Sequence, residues 1–436
     1  MANLSDVLTK NIRNWTFLRY NSPAGRRVAN SKLRTKKVLD KAEIANPKLL
    51  AVFKNQKGVI KFPWEELEGN FVIKPASSSG GDGILIIRKG AKWAGEWFLM
   101  NGTKVDVSYL RYHCLDILQG RFNIRKVPDK VFVEERIKIH PKFLRFTNSG
   151  TPDIRVVVFN TIPVMSMLRI PTDQSDGKAN LHQGAIGLGI DLATGITTFG
   201  VQNNHPVKMI YDRRRKKMVK VNGIKVPFWN TILELSVRCQ NAVSSLEFLG
   251  VDLVLDKDRG PMVLELNARP GLAIQICNRA GLKRRLGRVE GLKVRNVTHA
   301  IRISQSLFGS SFVDRVKPDG EIKALSPLEP IRVKTMLKKQ KKIDLIAKVD
   351  TGAFRSSIDE ETAKEIGLLE KNNILYYRHY RSSLGRGHHR PVIGATFWLK
   401  GQRVDSAVNV TDRKKLRTKF LIGRRDLRGF MVKLEA

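Results

Sequence analysis

Acid is scarce in this chain. Against 79 lysines and arginines stand only 40 aspartates and glutamates, leaving a formal net charge of +39 over 436 residues. A field of that sign attracts polyanions such as RNA, ribosomal surfaces, anionic membranes or a polyacidic peptide. It names no partner, because no zinc-finger spacing, RNP-like aromatic motif or recognisable helix-turn-helix is present. Cysteine is scarcer still. Cys114, Cys239 and Cys277 lie far apart without a CxxC pair, which excludes a disulfide framework and reads as buried reduced thiols in a cytoplasmic protein. No apolar run approaches the roughly 18–20 residues needed to span a bilayer. The opening "MANLSDVLTKNIRNWTFLRY" has no apolar core before a small-residue cleavage site, so no secretory signal is expected. There is no internal repeat of convincing length, and no GKS or GKT that would end a Walker A loop.

What the chain does contain is core-forming residues. A hydrophobic fraction of 42% fills two or three domains, the expectation for this length, and argues against wholesale disorder. "SKLRTKKVLDKAEI" carries a helical stripe at Leu33, Val38, Leu39 and Ile44 that ends before Pro47. "FVIKP", "ILIIR", "KVFVEERI", "DIRVVVFNTIPVMSMLRI" and "GAIGLGIDLATGITTFG" read as strands with turn punctuation. Helical spacing over 228–249, with Gly250 as its stop, predicts a helix, and a final helical stretch is expected over 274–307. Prolines and charge in "SPLEPIRVKT" read as a linker. The expected organisation is a first domain over 1–310, a linker over 311–332 and a small β domain over 333–436. The basic runs "YDRRRKKMVKV" and "MLKKQKKIDL" read as solvated hairpin or linker surface.

Two stretches carry chemistry. In "FVIKPASSSGGDGILII", Lys74 ends a strand ahead of Gly80, Gly81 and Gly83. Such a loop either closes over phosphates with free backbone N–H groups or is a plain hairpin. In "GVDLVLDKDRGPMVLELNARPG", Asp252 lies on one strand, with Glu265 and Asn267 two apart on the next and facing one side. Their oxygens suit Mg²⁺, although a hairpin with incidental acids has the same pattern. Burying Glu265 and Asn267 without a partner would be costly.

These stretches, with "VFVEE" at 131–135, "DIRVVVF" at 153–159, "ELNARPG" at 265–271, "SKLRTKKVL" and "TDQSDGKANLHQGAIGLGIDLATG", resemble the ATP-grasp superfamily. Within it they are most similar to glutamate-ligase-like proteins related to the enzyme that adds glutamates to a ribosomal protein. The resemblance covers roughly residues 10–305. It implies an ATP- and Mg²⁺-dependent (or Mn²⁺-dependent) ligase. Lys32 and Lys74 would contact the ATP phosphates under a lid of Gly80, Gly81 and Gly83. Glu134 and Glu135 would lie at the adenine and ribose end, with Asp153 near the ribose. Lys178 and Asn180 would approach the phosphates. Asp252, Glu265 and Asn267 would hold the metal, and Arg155, Arg169 and Arg269 would stabilise an acyl phosphate. His182 is weighed as a proton acceptor against a structural role. Relatives usually carry a full α/β domain before the first lysine, whereas only about thirty residues precede Lys32. The acceptor is therefore not copied from them.

The last quarter holds "KIDLIAKVDTGAFRSSI", a strand running into a turn at Asp350, and "RTKFLIGRRDL" with an apolar pair before Gly423. With "SSLGRGHHRPVI" as a flap hairpin and "TDR" at 411–413, this module resembles retropepsin-like proteins named as ATP-dependent zinc proteases. Aspartyl chemistry needs two carboxylates sharing a proton, so Asp350 would act only in a homodimer through this domain. A peptide-binding relic and a purely structural turn stay open. Zinc finds little support, since adjacent His388 and His389 face opposite sides of a strand.

The expected fold is thus α+β ATP-grasp followed by a small all-β retropepsin-like barrel. The expected function is joining an amino acid such as glutamate to a peptide or protein, with a second module that trims or holds the product. The alternative is a nucleic-acid- or ribosome-associated protein that uses its ATP-grasp fold as a switch.

Overall fold

Alternating apolar and polar residues, broken by glycine-rich turns, build most of the chain into strands. The computed structural model describes residues 4–67, 69–77, 81–88, 95–123, 126–148, 150–309, 324–337, 342–381, 387–427 and 430–432. It divides into two units, Met1–Val297 and Thr298–Ala436.

The first unit holds two sheets. Strands β1 (Leu49–Phe53), β2 (Phe71–Pro75), β3 (Leu85–Arg88), β4 (Glu96–Leu99), β5 (Lys104–Asp106) and β6 (Val131–Glu135) make an antiparallel sheet ordered β1-β6-β2-β3-β4-β5. Its apolar side packs Phe71, Ile73, Trp97, Val131 and Val133 against Leu110, Cys114 and Ile117 of helix Val107–Leu118. The second sheet contains β7 (Asp153–Phe159), β8 (Ile162–Ile170), β9 (Ile186–Ile190), β10 (Thr197–Gln202) and β11 (His205–Val207). Strands β12 (Met209–Asp212) and β13 (Lys217–Lys220) form a separate exposed hairpin, and β14 (Phe248–Asp256) and β15 (Gly260–Asn267) complete the second sheet. Its order is β11-β10-β9-β8-β7-β14-β15. Strands β8 and β14 are buried at every position, as expected of strands covered on both faces.

Two helical expectations are corrected. The helix spans Trp229–Ala242 rather than 228–249, because the chain turns at 243–246 to enter β14. Gly250 is not its stop but an interior residue of β14, where a Cβ would lie 3.0 Å from the Pro270 side chain. The stretch 274–307 is three helices, Ile274–Asn278, Leu282–Gly287 and Val297–Phe308, broken first at Arg279, whose φ is 48°. The three cysteines are buried and free, and burial pushes each thiol up. Among the described residues no helix is long and apolar enough to cross a membrane.

In the second unit the strands are β16 (Ala324–Leu325), β17 (Leu328–Lys334), β18 (Lys342–Asp350), β19 (Ser357–Asp359), β20 (Ile374–Arg381), β21 (Gly387–Leu399), β22 (Gln402–Thr411), β23 (Phe420–Gly423) and β24 (Met431–Val432). Their order is β17-β18-β23-β19-β22-β21-β20, and an extra β17–β21 pairing closes six of them into a barrel around Ile331, Val333, Phe397 and Phe420. The segment read as a linker is therefore largely a barrel strand. Glu329, Ile331 and Val333 point inward, and Pro330 lies outside the stretch Ile331–Val333 that is paired on both sides. The flap hairpin exists as β20 and β21, with its tip over 382–386 outside the described residues.

Candidate active site

Ser31 caps helix Lys32–Lys41 by accepting the Arg34 amide, and the helical spacing sets Lys32 and Lys36 one turn apart on one face. Lys36 is buried with its ammonium 2.8 Å from Glu134 Oε2, donating also to Asn46 Oδ1 at 3.1 Å and to the Pro47 carbonyl at 2.5 Å. Lys74 closes the other side by donating to Glu134 Oε1. Burial by itself would raise the Glu134 carboxyl, but Lys74 and Lys36 outweigh it and hold it below the usual carboxylate range. Burial lowers the Lys32 ammonium, against the pull first of Glu265 and then of Asp129 and Glu134. Glu134, expected at the adenine end, is thus the counter-ion of Lys36 and Lys74. Glu135 faces the other way, its Oε1 accepting from the Lys48 amide and from Arg259, both at 2.6 Å.

The loop after β2 turns through Gly81 (φ 85°) and Gly83 (φ 74°), while Gly80 lies outside the described residues. A Cβ on Gly83 would meet Phe122 at 2.6 Å, so both conformation and space require glycine there. Lys178 lies under this loop, its ammonium 3.6 Å from Asp82 Oδ1 and its stem within 3.4 Å of where a Gly81 Cβ would be. Asn180 caps a short turn by accepting the His182 amide at 3.1 Å, and His182 is exposed.

On the second sheet a row of charged residues crosses four strands. Register sets Arg169 opposite Asp153, and Arg155 opposite Asp252, which is itself opposite Glu265. Arg155 donates to both Asp252 oxygens at 2.6 and 2.5 Å. Arg169 grips Asp153 at 2.5 and 2.6 Å and reaches Asp252 Oδ2 at 2.9 Å. The Asn267 amide nitrogen donates to Asp252 Oδ2 and Glu265 Oε1, both at 3.1 Å. Burial raises the Asp252 carboxyl, yet Arg155 and Arg169 prevail and hold it far below the ordinary range. Burial pushes Asp153 up, against the pull of Arg169.

Asp153, expected near the ribose, is paired with Arg169 in this ionic row. Arg169, expected at an acyl phosphate, is buried between Asp153 and Asp252. Arg269 is exposed and near Arg13, whose guanidinium donates to the Pro270 carbonyl at 3.2 Å. Lys36 and Arg13 were not singled out in the sequence. The i, i+4 spacing from Lys32 was the available signal for Lys36; nothing local marks Arg13.

The donor set partly fits a divalent cation. Asp252 Oδ2 and Glu265 Oε1 converge on one point, now held by the Asn267 amide, and all three side chains offer hard oxygens. Asp252 is already neutralised by two guanidiniums, so Glu265 supplies the carboxylate charge. Among the described residues no three His, Cys, Asp or Glu side chains group for a metal; this set reaches three only with the Asn267 amide.

A family model described as sugar-transfer associated ATP-grasp matches residues 13–291, more than half of the chain. The chain belongs to this ATP-grasp family. ATP-grasp enzymes use ATP and Mg²⁺. No curated protein sequence matches the chain. Among solved structures, it is similar to the ATP-grasp ligase PsnB complexed with a minimal precursor, at 17% identity and a TM-score of 0.31, covering 61% of this chain and 60% of that one. The D-alanine–D-alanine ligase of Bacillus anthracis complexed with ATP gives 14% identity and a TM-score of 0.34 over 65% and 68% of the two chains. Lpg0085 of Legionella pneumophila, a protein of unknown function, gives 17% identity and a TM-score of 0.17 over 26% of this chain and 94% of that one. The ATP-grasp chain thus spans 60% of the PsnB ligase's length. The matched family is the sugar-transfer branch, and what it shares with the glutamate-ligase-like motifs is the ATP-grasp domain.

Proposed function

We propose that the first unit is an ATP-dependent carboxylate–amine ligase that adds an amino acid such as glutamate to a peptide or protein, as the glutamate-ligase-like motifs suggest. The observation that carries this reading is the presence in one unit of two clusters, Lys36 and Lys74 on Glu134, and Asn267 bridging Asp252 and Glu265. In the reaction, the substrate carboxylate oxygen bonds to the γ-phosphorus of ATP as the bond to ADP breaks. The amine nitrogen then bonds to the acyl carbon, phosphate leaves, and the amine loses a proton. Lys32, Lys74 and Lys178 neutralise phosphate charge, the loop at Gly81 and Gly83 covers the nucleotide, and Arg269 faces the acyl phosphate. Glu265, Asn267 and Asp252 would hold Mg²⁺, which supplies charge neutralisation and alignment of the phosphates. The test is incubation with ATP, Mg²⁺ and pooled amino acids while ADP and phosphate release are measured. Amino-acid-dependent release is expected; its absence would sink the ligase reading.

The second unit is read as a retropepsin-like module that trims or holds the product. What supports this is β18 running parallel to β23 with Asp350 opposite Gly423, and the Arg424 amide donating to the Ala353 carbonyl at 2.8 Å. Peptidase action would require a second Asp350 from a partner chain. A second reading, polyanion binding with the ATP-grasp unit as a switch, is favoured by the β12–β13 hairpin, which exposes Arg213, Arg214, Arg215 and Lys216. Tight, salt-sensitive RNA binding without amino-acid-dependent turnover would select it.

A further inference from the structure

Strands β12 and β13 pair with each other and with no other strand among the described residues. Their register fixes two faces. Ile210 and Asp212 turn inward and are buried, with Val219 and Lys217 opposite them. The other face carries Met209 opposite Lys220, and Tyr211 opposite Met218. There Met209, Tyr211 and Met218 are 39, 50 and 52% exposed. Apolar side chains left open side by side on a two-stranded ribbon add little to a core and mark a contact surface.

Charge surrounds that face. Residues 208–220 hold seven lysines and arginines against one acid, Asp212. The acid is spent inside the protein: it pairs with Arg145 and accepts the Arg214 and Arg215 amides, both at 3.1 Å. The Arg213 amide donates to the Arg145 carbonyl at 2.9 Å, and its guanidinium to the Thr147 carbonyl at 3.2 Å. The turn is thereby fastened to the body of the unit while Arg214, Arg215, Lys216 and Lys217 stay exposed. Leu144, next to the Arg145 that holds the turn, is exposed as well.

Cations alone would suit any polyanion, and the apolar residues separate the candidates. Methionine offers no plane on which a nucleic-acid base could stack. The boundary between headgroups and acyl chains takes methionine and tyrosine, while lysine and arginine reach back to the anionic headgroups. We propose that the β12–β13 hairpin docks the protein on an anionic lipid surface, with Met209, Tyr211 and Met218 entering that boundary and the 214–217 turn pairing with the headgroups. The contact is peripheral and made by a hairpin. It needs neither amino-acid-dependent turnover nor a switch in the ATP-grasp unit, so its failure leaves the ligase reading untouched.

The test is sedimentation of the full chain with vesicles of phosphatidylcholine and phosphatidylglycerol in equal parts, beside vesicles of phosphatidylcholine alone. Binding to the mixed vesicles is expected, and binding to phosphatidylcholine alone is expected to be far weaker. A net charge of +39 attracts any anionic surface, so the variants decide. Arg214→Gln with Arg215→Gln and Lys216→Gln is expected to weaken partitioning about 30-fold or more. Lys54→Gln with Lys57→Gln and Lys61→Gln removes the same exposed charge elsewhere in the first unit and is expected to cost about threefold or less. Tyr211→Ser with Met218→Ser keeps every charge and is expected to weaken partitioning about tenfold. Equal losses from the two triple variants overturn the proposal, by showing attraction of net charge alone. Undiminished partitioning of the Tyr211→Ser, Met218→Ser variant overturns it too, by showing that nothing enters the bilayer. Release of the wild type from mixed vesicles by oligouridylate at equal phosphate concentration overturns the lipid assignment in favour of RNA.

Discussion

Two lysines enclose the Glu134 carboxylate, and two guanidiniums enclose that of Asp252. Removing one partner of such a buried group leaves a charge unpaired, at about 3–5 kcal/mol. Arg169→Met is expected to lower the stability of the first unit by about that amount, read from the urea midpoint. Glu265 is only partly buried, so Glu265→Gln is expected to leave the midpoint almost unchanged while cutting ATP turnover about 100-fold or more. Lys74→Ala should cut turnover similarly and stay folded, since Lys36 still holds Glu134. The carboxyls of Glu134 and Asp252 are both depressed by their cations. Their contribution to stability is therefore complete above the ordinary carboxylate pKa of about 4 and is lost as pH falls through their lower folded values. Urea midpoints that fall as pH drops below about 4 would agree; midpoints that hold there would not. Asp252, Glu265 and Asn267 were legible in the sequence because two-residue spacing on a strand fixes a face. The pairing of Asp153 with Arg169 was not, because it depends on the β7–β8 register, which no local spacing reveals.

Strand propensity was readable element by element, since β2, β6, β7, β8, β14 and β15 all lie in runs rich in valine, isoleucine and leucine. Where an element ended was harder to read. The helix Trp229–Ala242 passes directly into an apolar turn and an apolar strand, so the hydrophobic pattern has no break at its true end. Pro330 and flanking charge hid β17 for the opposite reason, since a strand with one polar face looks like a linker. At the loop after β2, positive φ and contact with Phe122 act together at one residue. Gly83→Ala is expected to displace that loop and raise the KM for ATP on the order of tenfold, with turnover at saturation less affected. An unchanged KM would remove the loop from nucleotide binding.

At the scale of the whole molecule, one chain carries two units with separate cores. Asp350→Asn is expected to leave ATP turnover within about twofold of wild type, because the hydrogen bonds Asp350 accepts come from its own turn in the second unit. Any peptide cleavage by the protein should disappear with the same change, and cleavage that survives would remove Asp350 from that chemistry. The barrel of the second unit is closed by few rungs, Ile331 opposite Leu399, Arg332 opposite Trp398 and Val333 opposite Phe397. A fragment begun at residue 335 would lack that stave and leave β18 and β21 each with a bare row of peptide groups. Such open edges recruit other chains, so this fragment should clump into insoluble stacks, whereas one begun before Ala324 keeps the ring whole.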